Sequence, residues 1–317
     1  MRKTIDVRIG DCREVLKTLP EKSADLAILD PPYYKTVSAK WDNQWKTFDD
    51  YLNWLEDICL EVKRVLKANG SLFLFGDDEK IAYIQVRLDK HFTFLNHLIW
   101  RKSNACSIHG AEYASKFVCV TERILYYGKH DSAKEYLITE RKKSGMSSAD
   151  INEILVGRRI AHLTGGHYFW NSQWRMPTKE MYEKLQKNTD YFKKPYEELI
   201  RTYNYTFGQY EILDFPIISK NENTFHPTTK PVDLIKRLIG CASKEGDLIL
   251  DPFSGSGTVG IGCNELNRNA ILIELNPEYK QLIEDRINSK PKSKPQKRKV
   301  SHVDKLILQQ NLTQYFT

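Results

Sequence analysis

The 317-residue sequence has few of the features that mark membrane, secreted or metal-binding proteins. No apolar run approaches the roughly 20 residues that span a bilayer, and the N-terminus lacks the apolar core of a signal peptide. The six cysteines are scattered, and no pair has the two-to-four-residue spacing of a zinc knuckle. We therefore expect no metal site, no membrane association and a cytoplasmic protein whose cysteines are unpaired core residues.

Positive charge is distributed unevenly along the chain, whose formal net charge is +7. Residues 290–317 contain seven Lys or Arg and one acidic residue, and residues 141–201 contain twelve basic and seven acidic residues. The rest of the chain is close to neutral. A basic middle segment and a basic tail suit a polyanionic partner such as DNA, although an ordinary solvated surface has the same composition.

Predicted strands and amphipathic helices alternate in the first third of the chain and again from Pro231. The helix candidates include residues 12–19 and 48–67, the second closed by Asn69-Gly70. The strand candidates are residues 6–10, 24–29, 71–76, 94–100, 124–127, 247–251 and 270–274. This alternation indicates the α/β class, with a mostly parallel sheet and helices on both faces.

Residues 129–222 interrupt the alternation with a polar, aromatic and basic segment. We predict helices at 147–155, 160–169, 178–186, where Thr178 is a plausible cap, and 195–203. The first three have the spacing of a helix-turn-helix unit, although they could equally be packing elements. The candidate DNA contacts in this segment are Arg158, Arg159, His167, Arg175 and Lys179.

Residues 251–258, Asp-Pro-Phe-Ser-Gly-Ser-Gly-Thr, join a predicted buried strand to a helix. Glycines let the backbone approach a ligand closely, and the helix N-terminus favours negative charge. The next strand ends at Glu274, where an acid can bind ribose hydroxyls. The pattern predicts a nucleotide-type site without the Gly-Lys-Ser/Thr of a P-loop, and a tight turn without a ligand is the alternative.

Residues 30–33, Asp-Pro-Pro-Tyr, follow another predicted buried strand. The two prolines have no N–H, so this turn presents carbonyl oxygens without competing donors. A carboxylate and a carbonyl can accept both hydrogens of an aryl amine, which aims the nitrogen lone pair at a methyl donor, and Tyr33 can stack on a base. The alternative is an ordinary Pro-Pro turn.

Together these motifs resemble the amino-methyltransferase family of DNA modification enzymes, over about residues 1–130 and 223–289. In that family Asp-Pro-Pro-Tyr holds the target amine and the Gly-rich segment binds S-adenosylmethionine. A third match, residues 226–231 (His-Pro-Thr-Thr-Lys-Pro), lines the methionine end of the cofactor in the family. The resemblance implies that the catalytic residues are Asp30, Pro31, Pro32 and Tyr33. It implies that the cofactor-binding residues are Asp11, Cys12, His226, Thr228, Lys230, Asp251, Phe253, Ser254, Gly255, Gly257, Thr258 and Glu274.

The order of the motifs resembles the circularly permuted beta group, in which an insertion separates the catalytic motif from the cofactor motif. This implies a Rossmann-like methyltransferase fold with a mostly parallel seven-stranded sheet. The implied divisions are a catalytic part (1–128), a mainly helical target-recognition region (129–222), a cofactor-binding part (223–289) and a basic linker with a tail (290–317). Asp11 and Cys12 have an alternative interpretation as a helix cap followed by a core cysteine.

The resemblance implies a sequence-specific DNA methyltransferase that flips its target base out of the duplex. Asp30 resembles the adenine-N6 members, whereas cytosine-N4 members more often have Ser, so cytosine N4 is the alternative. Carbon-5 cytosine methylation is excluded, because that family's nucleophilic cysteine follows a proline and no cysteine does so here. A third interpretation is an inactive DNA- or clamp-binding module, which the intact Asp30, Tyr33, Gly255 and Gly257 argue against.

The C-terminal residues 309–316 resemble the box by which proteins dock on the ring-shaped sliding clamp, proliferating cell nuclear antigen. Gln309, Leu312, Tyr315 and Phe316 occupy its four specified positions, behind a basic linker that suits a tethered peptide. This implies an archaeal or eukaryotic-type replication context, of which we favour a prokaryotic, archaeal one. The alternative is a helix that packs on the body of the protein or on a second subunit in a homodimer.

Overall fold

The structure is a computed structural model, and it describes residues 3–36, 38, 42–104, 119–129, 132–159, 176–208, 210–218 and 229–289. Several predicted site residues lie outside these ranges. They are His167, Arg175, His226, Thr228 and the tail residues Gln309, Leu312, Tyr315 and Phe316.

The described strands and helices follow the predicted alternation. The strands are β1 (Ile5–Ile9), β2 (Ala24–Leu29), β3 (Leu66–Gly76), β4 (Thr93–Lys102), β5 (Thr121–Gly128), β6 (Ile212–Phe215), β7 (Leu248–Asp251) and β8 (Asn269–Glu274). The helices are α1 (Cys12–Lys17), α2 (Phe48–Val65), α3 (Ile81–Leu88), α4 (Ser132–Ser144), α5 (Ser148–Val156), α6 (Lys179–Asn188), α7 (Tyr196–Leu199), α8 (Val232–Ala242), α9 (Thr258–Glu265) and α10 (Tyr279–Asn288).

All of these strands join one sheet in the order β1-β8-β7-β2-β3-β5-β4-β6. β1, β8, β7, β2 and β3 are parallel, β5 is antiparallel to both β3 and β4, and β6 is parallel to β4. The last strands of the chain, β7 and β8, lie between its first two, β1 and β2. The sheet therefore confirms the Rossmann-like, circularly permuted arrangement, since neighbouring strands come from opposite ends of the chain.

Helices cover both faces of the sheet because its central strands bury side chains on both sides. In β3, Leu72 and Leu74 pack in the core that holds α1, α2 and α3. The alternate residues Phe73 and Phe75 pack in the opposite core, with α8, α9 and α10. Alternation of this kind is what a pleated strand imposes. Helices from the first part of the chain therefore cover one face, and helices from the last part cover the other.

The sheet has an eighth described strand where seven were predicted. The additional strand β6 lies within residues 129–222 and adds to the edge of the sheet, with Ile212 opposite Ile99 on β4. Its burial pattern is mixed, and Ile212 is half-exposed. Backbone pairing with β4, which no local pattern encodes, is therefore what makes this segment a strand.

Three predicted helices are shorter in the structure, and the first of them, predicted at 12–19, is α1 (Cys12–Lys17). α2 ends at Val65, because Leu66 takes an extended conformation and pairs with Ala24 at the start of β3. Asn69-Gly70 therefore belongs to the strand and does not close the helix. The helix predicted at 195–203 is the single turn α7.

The segment between β5 and β6 builds a small helical core of its own. Residues of α4, α5, α6 and α7 are buried in this core, namely Ala133, Leu137, Ile151, Leu155, Tyr182, Leu185 and Leu199, together with Phe192. Ser147 caps α5 in a capping box, and Thr178 caps α6 as expected. Residues 160–169 lie outside the described ranges, so the helix-turn-helix interpretation remains a prediction. No helix in the described ranges is long and apolar enough to cross a membrane.

Candidate active site

A cleft of about 610 Å³ opens at the carboxyl ends of β1, β2, β7 and β8. Parallel strands bring their carboxyl ends to one edge of a sheet, so residues far apart in sequence converge there. The predicted site residues that line the cleft are Asp11, Cys12, Asp30, Pro31, Pro32, Tyr33, Lys230, Asp251, Phe253, Ser254, Gly255, Thr258 and Glu274.

The Gly-rich turn after β7 is held against the end of β8. Gly255 has a φ of 48°, and its N–H donates to Glu274 Oε2 at 2.8 Å. The N–H of Asn276 donates to Glu274 Oε1 at 2.9 Å. These two bonds orient the Glu274 carboxylate, and each oxygen retains a lone pair for a ligand hydroxyl.

Among the predicted cofactor residues that the structure describes, Gly257 is the one that does not line this cleft. Its φ is 77°, and a Cβ at this position would lie 2.7 Å from Ile283 Cγ2 on α10. The glycine is therefore required by the left-handed turn and by close packing against α10. The structure places Gly257 behind the binding surface, with Gly255 facing the cleft.

The carboxyl groups at the ends of β7 and β8 are buried. Burial raises the pKa of Asp251 well above its ordinary value, although the Phe253 N–H donates to its Oδ1 at 3.0 Å. Burial also raises the pKa of Glu274. Bound hydroxyls or positive charge would stabilise both carboxylates, because an ionised acid needs such partners when it is removed from water. These carboxylate acceptors and the size of the cleft fit S-adenosylmethionine, whose ribose has hydroxyls and whose sulfur is positively charged.

Asp11 serves as a helix cap at the edge of the same cleft. Its Oδ1 accepts the N–H of Arg13 at 2.9 Å, and its Oδ2 is 2.6 Å from the Arg13 guanidinium. Cys12 is buried behind it, and burial raises the pKa of its thiol to about 12. The cap interpretation therefore describes both residues, while their position in the cleft keeps the cofactor contact as a prediction.

Asp30 lies at the end of β2 in a network of buried polar groups. Its Oδ1 accepts the Tyr33 hydroxyl at 2.8 Å and the Lys230 ammonium at 2.8 Å. Lys230 Nζ also lies 3.3 Å from Glu122 Oε2, and Lys102 Nζ lies 2.9 Å from Glu122 Oε1. Lys230, which was expected to contact the cofactor, therefore contacts the carboxylate of Asp30, the predicted catalytic residue.

The electrostatics of this network favour its charged form. Burial would lower the pKa of Lys230, but the carboxylates of Asp30 and Glu122 raise it above its ordinary value. Burial would raise the pKa of Glu122, but Lys230 and Lys102 lower it. Burial and the neighbouring charge of Asp30 raise the pKa of Tyr33 well above its ordinary value, so its hydroxyl stays protonated and donates.

Asp42 fixes the turn that follows the Asp-Pro-Pro-Tyr motif. Its side chain is fully buried, and it accepts the N–H of Tyr33 at 2.7 Å and that of Thr36 at 2.6 Å. Between these two residues, Tyr34 and Lys35 take left-handed φ values of 55° and 56°. Side chains rarely adopt this conformation unless the surroundings hold it, so Asp42 organises the backbone beside the catalytic motif.

Sequence reasoning missed Asp42, Glu122 and Lys102. Glu122 had a weak signal, as an acidic residue two positions before the apolar run 124–127 that predicts a strand. Asp42 and Lys102 had none, because their partners are set by the packing of separate elements.

The described DNA-contact candidates lie on the helical segment. Arg158 is exposed just after α5. Arg159 is 2.8 Å from Asp150 Oδ1 and 3.3 Å from Glu153 Oε2. Lys179 is 2.6 Å from Glu197 Oε1. Acidic neighbours partly neutralise two of the three cations, so Arg158 has the strongest remaining attraction for a phosphate.

Comparisons with known proteins agree with this geometry. The family described as DNA methylase, covering N6 and N4 methyltransferases, matches residues 24–285. The chain therefore belongs to this DNA methylase family. It is 29% identical over 277 residues to the DNA adenine methyltransferase YhdJ of Escherichia coli K12, covering 85% of this chain and 78% of YhdJ. It is 28% identical over 296 residues to the type II methyltransferase M.HinfI of Haemophilus influenzae, covering 88% of this chain and 67% of M.HinfI.

Solved structures give the same fold. The DNA modification methylase TTHA0409 of Thermus thermophilus, solved with S-adenosylmethionine, is 25% identical with a TM-score of 0.52. The match covers 90% of this chain and 95% of that chain. The cytosine-N4-specific PvuII DNA methyltransferase is 16% identical with a TM-score of 0.59, covering 92% of this chain and 89% of that chain. The expected fold is confirmed, and the protein is a DNA methyltransferase that uses S-adenosylmethionine.

Proposed function

We propose that this protein methylates the N6 amino group of adenine at specific DNA sites after flipping the base out of the duplex. The observation that carries the proposal is the Asp30 carboxylate at the end of β2, next to Pro31, Pro32 and Tyr33 in the cleft. The relative named DNA adenine methyltransferase, YhdJ, supports adenine as the target base.

The chain's own residues prepare the amine for transfer. Asp30 and a backbone carbonyl of the Pro31-Pro32 turn accept the two amine hydrogens, which directs the nitrogen lone pair into the cleft. Tyr33 offers its ring to the flipped base. S-adenosylmethionine, when bound, supplies the methyl group, and its sulfur keeps the electron pair of the broken S–C bond. The nitrogen forms the new N–C bond and loses one proton, for which Asp30 is the nearest acceptor.

We propose that Asp251, Phe253, Ser254, Gly255, Thr258 and Glu274 hold the cofactor, with Asp11 and Cys12 at the other end of the cleft. The support is their convergence at one edge of the sheet and the buried carboxyls that need hydroxyl or cationic partners. His226, Thr228 and Gly257 stay predictions on resemblance alone.

The decisive experiment identifies the methylated base. The protein is incubated with PCR-amplified DNA, which carries no methylation, and methyl-labelled cofactor, and the DNA is then digested to nucleosides. We expect N6-methyladenosine as the labelled product. N4-methylcytidine would assign the protein to the alternative chemistry, which uses the same amine geometry and for which the PvuII fold match is a precedent.

We propose that the helical segment within residues 129–222 recognises the target DNA. Its support is a hydrophobic core separate from the two cores that flank the sheet, formed by helices with exposed cations beside them. The test compares Arg158→Gln with the matched variant Arg159→Gln, whose cation already has two acidic partners. We expect the Arg158 variant to lose more DNA affinity and to lower the salt slope by about one unit. Equal, negligible losses would contradict the proposal.

We propose that residues 309–317 form a docking peptide for a sliding clamp. We also propose that the catalytic part, the target-recognition region, the cofactor-binding part and the tail meet at about residues 128, 222 and 289. The support for the tail is its sequence alone, and the relatives named above come from bacteria. Deleting 309–317 and measuring affinity for a proliferating cell nuclear antigen tests it. If the deletion leaves the affinity for the clamp unchanged, the docking proposal is wrong. A change in the oligomeric state of the deletion variant would favour the homodimer alternative.

A further inference from the structure

The two oxygens of the Asp30 carboxylate have different surroundings. Oδ1 accepts both the Tyr33 hydroxyl and the Lys230 ammonium, each at 2.8 Å. Among the described residues, none is within hydrogen-bond or ion-pair distance of Oδ2. A carboxylate oxygen with two donors is saturated, so Oδ2 is the oxygen that remains for a hydrogen of the target amine.

Lys230 reaches Asp30 from a distant part of the chain, just before α8. Its side chain is only 8% exposed, and its Nζ lies 5.2 Å from the ring centres of both Tyr33 and Phe75. The ammonium is 3.2 Å from the Tyr33 hydroxyl, 197 residues away in sequence. Packing on both rings leaves Lys230 little freedom to move away from Asp30.

Glu122 holds Lys230 from the opposite side. The carboxylate on β5 accepts Lys230 on Oε2 and Lys102 on Oε1. Alternating charges therefore run from Lys102 on β4 through Glu122 and Lys230 to Asp30, and each carboxylate in the row has a cation beside it. A row of this kind is stable in a buried site because no ionised group lacks an opposite charge.

We propose that Lys230, held in place by Glu122, is a positioning residue that occupies Oδ1 of Asp30 and thereby reserves Oδ2 for the exocyclic amine. The proposal rests on the amine methylation proposed above and applies equally to adenine N6 and cytosine N4. It differs from the role that resemblance implied for Lys230, which is contact with the methionine end of the cofactor.

The number of N–H donors on Lys230 distinguishes the positioning role from contact with the cofactor. An ammonium has three N–H donors. In this structure three acceptors already surround Lys230 Nζ, namely Asp30 Oδ1, Glu122 Oε2 and the Tyr33 hydroxyl. A cofactor carboxylate could bind Lys230 only by displacing one of them, and displacement would leave a buried group without its partner.

Removal of Lys230 would leave the carboxylates of Asp30 and Glu122 in one buried site without the cation between them. The titratable groups that face Asp30 come from several elements and are Tyr33, Tyr51, Glu122, Asp251 and, through Glu122, Lys102. Among the described residues, Lys230 is the cation that contacts Asp30. Without it, Oδ1 of Asp30 keeps only the Tyr33 hydroxyl and becomes open to the amine, so the carboxylate no longer holds the amine in one geometry and kcat falls.

The test is Lys230→Met, assayed on PCR-amplified DNA at saturating S-adenosylmethionine. We expect kcat to fall roughly 100-fold or more, because the amine is no longer held in one geometry. We expect the dissociation constant for S-adenosylmethionine, measured by calorimetry, to stay within about threefold of wild type. Lys230→Arg, which keeps the charge, should recover part of the rate. The matched control is Lys236→Met on α8, where the lysine pairs with Glu265 at 2.6 Å and is not among the residues that line the cleft.

Two results would overturn the proposal. One is a cofactor dissociation constant raised tenfold or more in Lys230→Met, since this is the signature of a cofactor ligand. The other is an unchanged kcat. The calorimetric comparison requires no methyl transfer, so it judges the inference even if the wild-type protein proves inactive on DNA.

A second variant keeps the proposal testable if Lys230→Met does not fold. Lys230→Met with Glu122→Gln removes the cation together with one of its two carboxylates, so Asp30 no longer shares the site with a Glu122 carboxylate that has lost Lys230. We expect it to bind S-adenosylmethionine like wild type and to remain roughly 100-fold slower. Recovery of the full wild-type rate by this double variant would contradict the positioning role.

Discussion

Asp30 is the residue on which the assigned chemistry depends. We expect Asp30→Ala to reduce methyl transfer by roughly 100-fold to 10,000-fold, because the amine loses the carboxylate that orients it and receives its proton. S-adenosylmethionine binding should change little, because Lys230 keeps Glu122 as its partner. Labelled-methyl transfer and calorimetry measure the two effects. The control is Asp233→Ala on α8, an acid whose side chain is 80% exposed. Full activity of Asp30→Ala would falsify the mechanism.

Asp251 should make the stability of the cofactor-free protein depend on pH. Burial raises its pKa in the folded state well above 3.8, so the folded protein holds this proton more tightly than the unfolded chain. Its contribution to stability is therefore present below pH 3.8 and is lost as the pH rises. Asp251→Asn cannot ionise and can keep the acceptor for the Phe253 N–H.

The measurement is the free energy of unfolding by urea at several pH values. We expect the stability of Asp251→Asn relative to wild type to increase steadily from pH 4 towards neutrality. Asp233→Asn, at an exposed position, serves as the reference and should show no such trend. A relative stability that is constant with pH would mean that Asp251 ionises as easily in the folded protein as in the unfolded chain.

Among the local elements, the turn after β2 has the most direct link to catalysis. Asp42→Ala removes the acceptor for the N–H groups of Tyr33 and Thr36. We expect a loss of unfolding free energy on the order of 1–3 kcal/mol, since buried donors lose their partner. We also expect a lower kcat with unchanged cofactor affinity, because Tyr33 belongs to this turn.

Urea unfolding and methyl-transfer kinetics check this prediction side by side. Asp49→Ala is a suitable control, since its side chain on α2 is 81% exposed and its contact with Arg87 is 3.5 Å long. If Asp42→Ala and Asp49→Ala behave alike, the turn does not need the buried carboxylate.

Elements with a strong local pattern could be predicted from the sequence, and elements with a weak one could not. The buried strands β2 and β7 and the capped helices α5 and α6 have apolar periodicity or a capping residue within their own segment. The strand β6 and the early end of α2 depend on partners elsewhere, Ile99 on β4 and Ala24 on β2. Pairing across the sheet overrides the local preference at these positions.

At the scale of the whole molecule, most of the net positive charge lies in residues 288–317, outside the compact unit Met1–Ile287. We expect a chain that ends at Ser289 to keep cofactor binding and its thermal midpoint. It should bind DNA more weakly at low salt, because it lacks seven Lys and Arg of residues 290–317.

The measurement is DNA affinity against salt concentration, where the truncated chain should give a shallower slope. A version that keeps the tail but replaces those seven residues by Gln controls for length. If the truncated chain and the full chain have the same slope, the basic tail does not contact DNA phosphates.

The sequence by itself determined the family and the cofactor, since Asp-Pro-Pro-Tyr, the Gly-rich turn and His-Pro-Thr-Thr-Lys-Pro together resemble the DNA amino-methyltransferases, and the DNA methylase family matches residues 24–285. The roles of the individual site residues stay predictions. The sequence also determined the fold class, because the alternation of strands and helices leaves few ways to build a sheet. Only the tertiary structure decided that Lys230 contacts Asp30, that Glu122 holds Lys230 and that Asp42 supports the turn. The physical reason is that these contacts depend on which strands are neighbours in the permuted sheet, and strand order is a property of the whole chain.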